Sequence, residues 1–267
     1  MYTDVVDLRD FYAEPVGMVA RRLLGARLRE LWPDTRGLRV AGVGYAAPFL
    51  WPFLPEAERV LALMPAQQGV LHWPREGGNL SALVDETDLP LPDRSVDRML
   101  VVHALECTER VKPLLREAWR ALADGGRMVV VVPNRTGLWA QIDNSPFYQG
   151  YPYSARQLAA LLRANMFTPL REARALYMPP VRSRLLLGMA PSVERFGARW
   201  LGRLAGVAMI EAGKQLYAGV AQREAPAAQA VRPRLRVARA GDSAAGRWSP
   251  RASTPGAVPS APDPAPR

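Results

Sequence analysis

Two titratable side chains stand where an open sheet would do chemistry. His103 and Glu106 lie three residues apart, at and just past the end of the apolar run DRMLVVHAL (97–105). In an open α/β sheet the ligand meets the carboxyl ends of the strands, and a strand over that run delivers both residues there. A neutral histidine accepts a proton near pH 7. A carboxylate beside it orients the ring or binds an amine. The pair therefore suits general-base work on an acceptor. Two plainer roles stay open: a satisfied wall histidine, and an acid at a helix N-terminus. Cys107 follows directly, but nothing around it suggests a triad that would make it a nucleophile.

Backbone chemistry points to the same end of the sheet. Gly42 and Gly44, in VAGVGYA, follow a short apolar strand. Glycines there let the chain approach a cofactor closely and turn sharply into a helix; a plain strand-ending turn is the alternative. The segment PNRTGLWAQIDNSPFYQGYPYS (133–154) is a long aromatic loop with polar residues. Asn134, Trp139, Tyr151 and Tyr153, with Asp143 and Phe147, are its candidates for lining a substrate pocket or a lid. The other reading is an ordinary packed loop. His72-Trp73-Pro74 has the same flavour on the opposite side, where Trp73 covers a ligand or packs on the sheet. Two histidines, one cysteine and no His-x-x-x-His spacing give no metal site.

The elements that must hold these groups alternate. Residues 9–31 contain an amphipathic helix with Pro15 in its first turn. Strands are expected at 38–43, 59–64, 79–84 and 97–105, then a helix over 111–126 stopping at two glycines. RMVVVVP (127–133) has four consecutive valines, the mark of a strand buried on both faces. A helix at 154–167 has Ser154 as N-cap. Residues 169–181 supply another strand and about 183–203 a helical stretch, while 207–220 fits a strand, a helix or both. Such alternation means βαβ units and a mostly parallel sheet.

The chain has 267 residues and a net charge of +10, from 35 basic and 25 acidic residues. Residues 222–267 hold eight arginines against three acids, in an aperiodic Ala/Pro/Arg/Gly/Ser text that cannot bury enough surface to fold. This basic tail touches nucleic acid or anionic lipid in one reading and is a solvated extension kept soluble by its charge in the other, and no nucleic-acid module accompanies it. No apolar run is long enough for a membrane span. No secretory signal opens the chain, and one cysteine excludes an internal disulfide, so a cytoplasmic home is expected.

In these landmarks the sequence resembles the class I S-adenosylmethionine (SAM) dependent methyltransferases, type 11 group. That family's first motif usually reads acid-x-Gly-x-Gly-x-Gly; here it reads Val40-Ala41-Gly42-Val43-Gly44-Tyr45-Ala46. A second landmark, Asp-x-x-x-Leu-Pro-Phe-x-Asp-x-x-Phe-Asp, is matched by DETDLPLPDRSVD from Asp85 to Asp97. A third is LREAWRALADGGRMVVVVPN. The resemblance covers roughly 38–133. It implies a Rossmann-like, mostly parallel seven-stranded sheet with helices on both faces. It further implies SAM held by Gly42, Gly44, Tyr45, Met64, Asp85 and Glu86, with Asp85 accepting from the adenine amino group. Asp85 as a simple turn cap is the alternative.

Two departures stand out. The first-motif acid is Val40, and the strand-two acid that customarily holds the ribose is missing near Met64, where only Gln67 and Gln68 are polar. The expected organisation is an N-terminal helical extension (1–35), a methyltransferase-like domain (36–221) and a disordered basic tail (222–267). Two functions follow from it. One is SAM-dependent transfer of a methyl group to an oxygen or nitrogen of a small or macromolecular acceptor. The other, favoured by the missing acids, is a non-catalytic scaffold or regulator. An NAD oxidoreductase fits less well, because the LPLPD line does not belong to that chemistry.

Overall fold

The structure is a computed structural model, in which residues 2–142, 145–181, 183 and 187–215 are described. The expected tail, 222–267, and Asp143 lie outside the described residues. Seven strands, β1 (Arg39–Gly44), β2 (Arg59–Pro65), β3 (Ser81–Val84), β4 (Val96–Val102), β5 (Leu122–Pro133), β6 (Phe167–Ala175) and β7 (Val207–Lys214), form one sheet. Its order is β3-β2-β1-β4-β5-β7-β6. The first five strands are mutually parallel, and β7 runs antiparallel to both neighbours. The chain winds outward from β1 to β3 and then returns to β4 on the other side of β1. That reversal opens a crevice at the carboxyl ends of β1 and β4, where open α/β sheets bind ligands.

Helices α1 (Val5–Ala13), α2 (Pro15–Leu31) and α3 (Ala47–Leu50) cover one face. Their Leu8, Tyr12, Leu24, Leu28 and Leu50 share a core with Val40, Leu100 and Val131. Helices α4 (Val111–Ala121) and α5 (Ala155–Ala164) cover the other face, where Leu114, Leu115, Leu158 and Leu162 meet Val43, Val101 and Val130. Alternate residues of each strand feed the two layers, which is why the valine run of β5 is apolar throughout. Helix α6 (Ala190–Trp200) follows β6.

Several boundaries differ from the sequence expectation. The N-terminal region holds two helices: Asp4 caps α1 by accepting from Val6 N, and Pro15 starts α2 afresh. Helix α4 stops at Ala121, before the two glycines. Leu122 is fully buried and pairs with Val96, and the register resumes only at Arg98 and Arg127, so Ala123–Gly126 bulge out. Strand β4 ends at Val102, because His103 turns into the left-handed region at φ 52°. Residues 207–214 are a strand, buried at all but one position, so no alternation marked them in the sequence.

Candidate active site

Strand β4 delivers His103 to the crevice and the sharp turn after it brings Glu106 back beside it. Both are 1% exposed. His103 Nε2 is 2.8 Å from the Tyr12 hydroxyl, and Nδ1 is 3.4 Å from Glu106 Oε1. The Phe147 ring lies 4.9 Å from the imidazole. Gln68 donates its amide to the His103 carbonyl at 2.9 Å. Neither carboxylate oxygen of Glu106 has a hydrogen-bond partner among the described residues. A buried carboxylate left in that state is costly, and a cationic group would satisfy it.

The turn after β1 is built by close packing. Gly44 has φ 82°, and a side chain there would strike the Val102 carbonyl at 2.2 Å. A Cβ on Gly42 would meet Ala46 at 2.5 Å and Leu50 at 2.9 Å, so this glycine seats α3 against β1. Tyr45 and Met64, at the ends of β1 and β2, are buried. Asp85 follows β3, half exposed, and accepts from the Thr87 N–H at 2.8 Å and the Thr87 hydroxyl at 2.7 Å. Those bonds, chiefly the N–H, hold its carboxyl below the usual carboxylate range. Arg110 stands 3.6 Å away. Glu86 is buried and accepts from the Thr108 hydroxyl.

The N-terminal segment crosses this end of the sheet. Val5 N–H donates to the Gln68 carbonyl at 2.8 Å, and Thr3 donates its hydroxyl to Gln149 at 2.7 Å. Tyr2 is buried within electrostatic reach of Glu86, Cys107 and Glu106, and burial raises its phenol well above the ordinary value. Residues 2–12 thus form a strap over the ends of β2, β3 and β4.

The expected acceptor-lining residues separate. Asn134 donates to the carbonyls of Arg203 and Ala205, and Trp139 donates to the Met178 carbonyl from a buried position. Both side chains are occupied in joining the loop to the segment after β6. Tyr151 is 64% exposed, and its N–H donates to the Glu106 carbonyl. Tyr153 is half-buried, paired through its backbone with Pro133 and Asn134. Gly150, at φ 86°, lets the loop close onto Glu106, since a Cβ would meet that carbonyl at 2.4 Å. Of the loop, Phe147 is the side chain that touches His103. Among the described residues no cluster of metal ligands occurs.

A cleft of about 610 Å³ opens beside the strap. Tyr12, Tyr45 and Met64 form its floor, and Trp51, His72 and Trp73 its wall. Tyr12 and Tyr45 stack at 5.8 Å, and Trp51 meets Trp73 edge-on at 5.8 Å. Gln68, singled out in the sequence as a polar group near the missing ribose acid, instead bonds the His103 carbonyl, and Tyr12, which completes the surroundings of His103, escaped the sequence reading. Tyr12 sits 91 residues from its partner, on what read as an ordinary amphipathic helix, and no local signal marked it.

The sequence pattern of the type 11 methyltransferase domain matches residues 41–130, from β1 into β5. Over those residues the chain reads as a methyltransferase domain. The chain shares its fold with a SAM-dependent methyltransferase of Thermotoga maritima, at TM-score 0.58 and 16% identity over 79% of this chain and 95% of that one. A SAM-dependent methyltransferase of Archaeoglobus fulgidus matches at 0.51 and 20% identity, covering 73% and 94%. The 1,6-didemethyltoxoflavin N1-methyltransferase of Burkholderia thailandensis, solved with S-adenosylhomocysteine, matches at 0.50 and 17%, covering 78% and 82%. No curated protein sequence matches the chain. Among the described residues no helix is long and apolar enough to cross a membrane.

Proposed function

We propose that this protein is a SAM-dependent methyltransferase that moves the methyl group of SAM to an oxygen or nitrogen of a small-molecule acceptor, in a reducing cytoplasm that suits its single buried thiol. The observation that carries the reading is the Glu106 carboxylate, buried at the switch point of the sheet and without a hydrogen-bond donor among the described residues. SAM brings an ammonium and a sulfonium, and a fixed negative charge in a water-poor site favours both. Gly42 and Gly44 shape the turn on which the cofactor lies. Asp85 and Glu86 take the adenine end, with Tyr45 and Met64 beside the ribose. The customary ribose acid is absent at Met64, so neutral groups, Gln68 among them, hold the hydroxyls.

SAM supplies the methyl group as an electrophile. The protein's part is alignment and proton handling. His103 is too deep to touch an acceptor in the cleft directly, but Tyr12 lines that cleft and its hydroxyl reaches Nε2. As the acceptor's O–CH3 or N–CH3 bond forms and the S–CH3 bond breaks, the acceptor proton passes to the Tyr12 oxygen while the Tyr12 proton passes to His103. Asn134, Trp139, Tyr151 and Tyr153 act at a distance, by fixing the loop that carries Phe147. Nucleic acid bound through the basic tail is the less favoured acceptor.

A second reading, a non-catalytic methyltransferase-like scaffold, is favoured by the missing ribose acid and the strap. Calorimetric titration of the full chain with SAM, S-adenosylhomocysteine and NADH separates the two. The expected result is micromolar binding of both sulfur compounds, weakened by Asp85→Ala and by Glu106→Gln, and none of NADH. Absence of binding by either sulfur compound would leave the scaffold reading.

A further inference from the structure

The 610 Å³ cleft gathers more positive charge than the single carboxylate of SAM offsets. Arg9, Arg21 and Arg75 line it from three segments: α1, α2 and the loop between β2 and β3. No aspartate or glutamate is among the described residues lining it. Arg9 pairs with Asp10 at 2.8 Å, whereas Arg21 and Arg75 have no ion-pair partner among the described residues. All three guanidinium groups act on Tyr45. Burial raises its phenol to about 12, and the arginines pull in the opposite direction. Convergence of three cations from separate segments onto one aromatic floor costs mutual repulsion unless an anion joins them. The sulfonium and ammonium of SAM gain nothing from such a lining, and its carboxylate is one anion against three cations.

We propose that this cleft binds the methyl acceptor, and that the acceptor is an aromatic compound carrying a carboxylate or phosphate. Its ring lies against Trp51 and Trp73, and its acid group sits among Arg9, Arg21 and Arg75. Arginine is suited to both acids through its planar pair of donors, and indole and phenol rings supply the apolar walls. The cleft opens at the ends of β1 and β2, beside the cofactor turn, and Tyr12 links it to His103. The assignment of acceptor, though not of the anion site, rests on the methyltransferase reading.

The test is calorimetry on the full chain with 4-hydroxybenzoate, phenyl phosphate and the neutral 4-hydroxybenzamide, at low and high salt, with S-adenosylhomocysteine titrated separately. The two acids are expected to bind at least about tenfold tighter than the amide, with the gap narrowing at high salt. Preference between them distinguishes a carboxylate from a phosphate ligand. The exposed double variant Arg21→Ala/Arg75→Ala is expected to cost the acids about tenfold and to leave S-adenosylhomocysteine affinity unchanged. Acids that bind no better than the amide overturn the proposal. So does a double variant that weakens S-adenosylhomocysteine instead, because the arginines would then serve the cofactor's own carboxylate. Acid binding without S-adenosylhomocysteine binding keeps the anion site and removes the methyltransferase reading.

Discussion

Asp97 and Arg39 tie the starts of β4 and β1 together. Arg39 donates to the Asp97 carboxylate from its backbone N–H and its Nε, both at 2.9 Å, and from a second guanidinium nitrogen at 3.0 Å. The guanidinium holds the Asp97 carboxyl below the usual carboxylate range. A depressed acid stabilises the fold above its unfolded value of roughly 3.9 and loses that contribution as pH falls through the lower folded value. Asp97→Asn is therefore expected to lower stability by about 1 kcal/mol at pH 7, the size set by partial solvent screening, and by nothing in strong acid. Urea melts of both proteins at pH 7 and pH 2.5 check this. At the other end of β4, Tyr12→Phe removes the hydroxyl between the cleft and His103. We expect a stability loss of about 1–2 kcal/mol and a fall in kcat larger than any change in KM for SAM, read by steady-state kinetics once an acceptor is found. The two residues also differ in how the sequence displays them. Asp97 closes a recognisable landmark, while Tyr12 reaches its partner through the third dimension and leaves no pattern.

Helix ends and turns make sharper demands than helix middles. Ser154 accepts from Gln157 N–H while Gln157 reaches back to Ser154, a complete capping box for α5. Ser154→Ala is expected to cost about 1 kcal/mol, visible as a lower thermal midpoint. Gly25 sits mid-way along α2 with open space around it, so Gly25→Ala is expected to stabilise by up to about 1 kcal/mol. Gly44→Ala faces both a positive φ and a carbonyl at 2.2 Å; we expect it to abolish S-adenosylhomocysteine binding or folding, assessed by calorimetry and circular dichroism on the same sample. Most strands could be read from the sequence, because continuous valine and leucine runs bounded by turns have few other uses. Helix α3 could not: GYAAPFLWPFL is apolar throughout, so no period separates turn, α-helix and 3-10 helix. The overlong expectation for α4 failed for a tertiary reason. Leu122 gains more from burial against the sheet than from another helical turn, and nothing within residues 111–126 records that.

At the scale of the whole molecule, the strap joins the first residues to parts of the chain far along it. Thr3 meets Gln149 across 146 positions, and Tyr12 meets His103 across 91. The ribosome makes these residues first, yet the surface that receives them requires β2, β3, β4 and the loop after β5. Until those exist, the Thr3 hydroxyl, the Val5 N–H and the Tyr12 hydroxyl lack the partners that seat the strap. Residues 2–12 are therefore among the last parts to dock, a cost typical of contacts distant in sequence. Pulsed hydrogen exchange during refolding of the full chain should show the Val5 amide, bonded to Gln68, gaining protection after amides of β1 and β4. Simultaneous protection would mean that the strap helps assemble the sheet. If it docks late, residues 2–12 stay unanchored for the whole time their sheet is being synthesised, and slower translation between β2 and the loop after β5 would lengthen that wait.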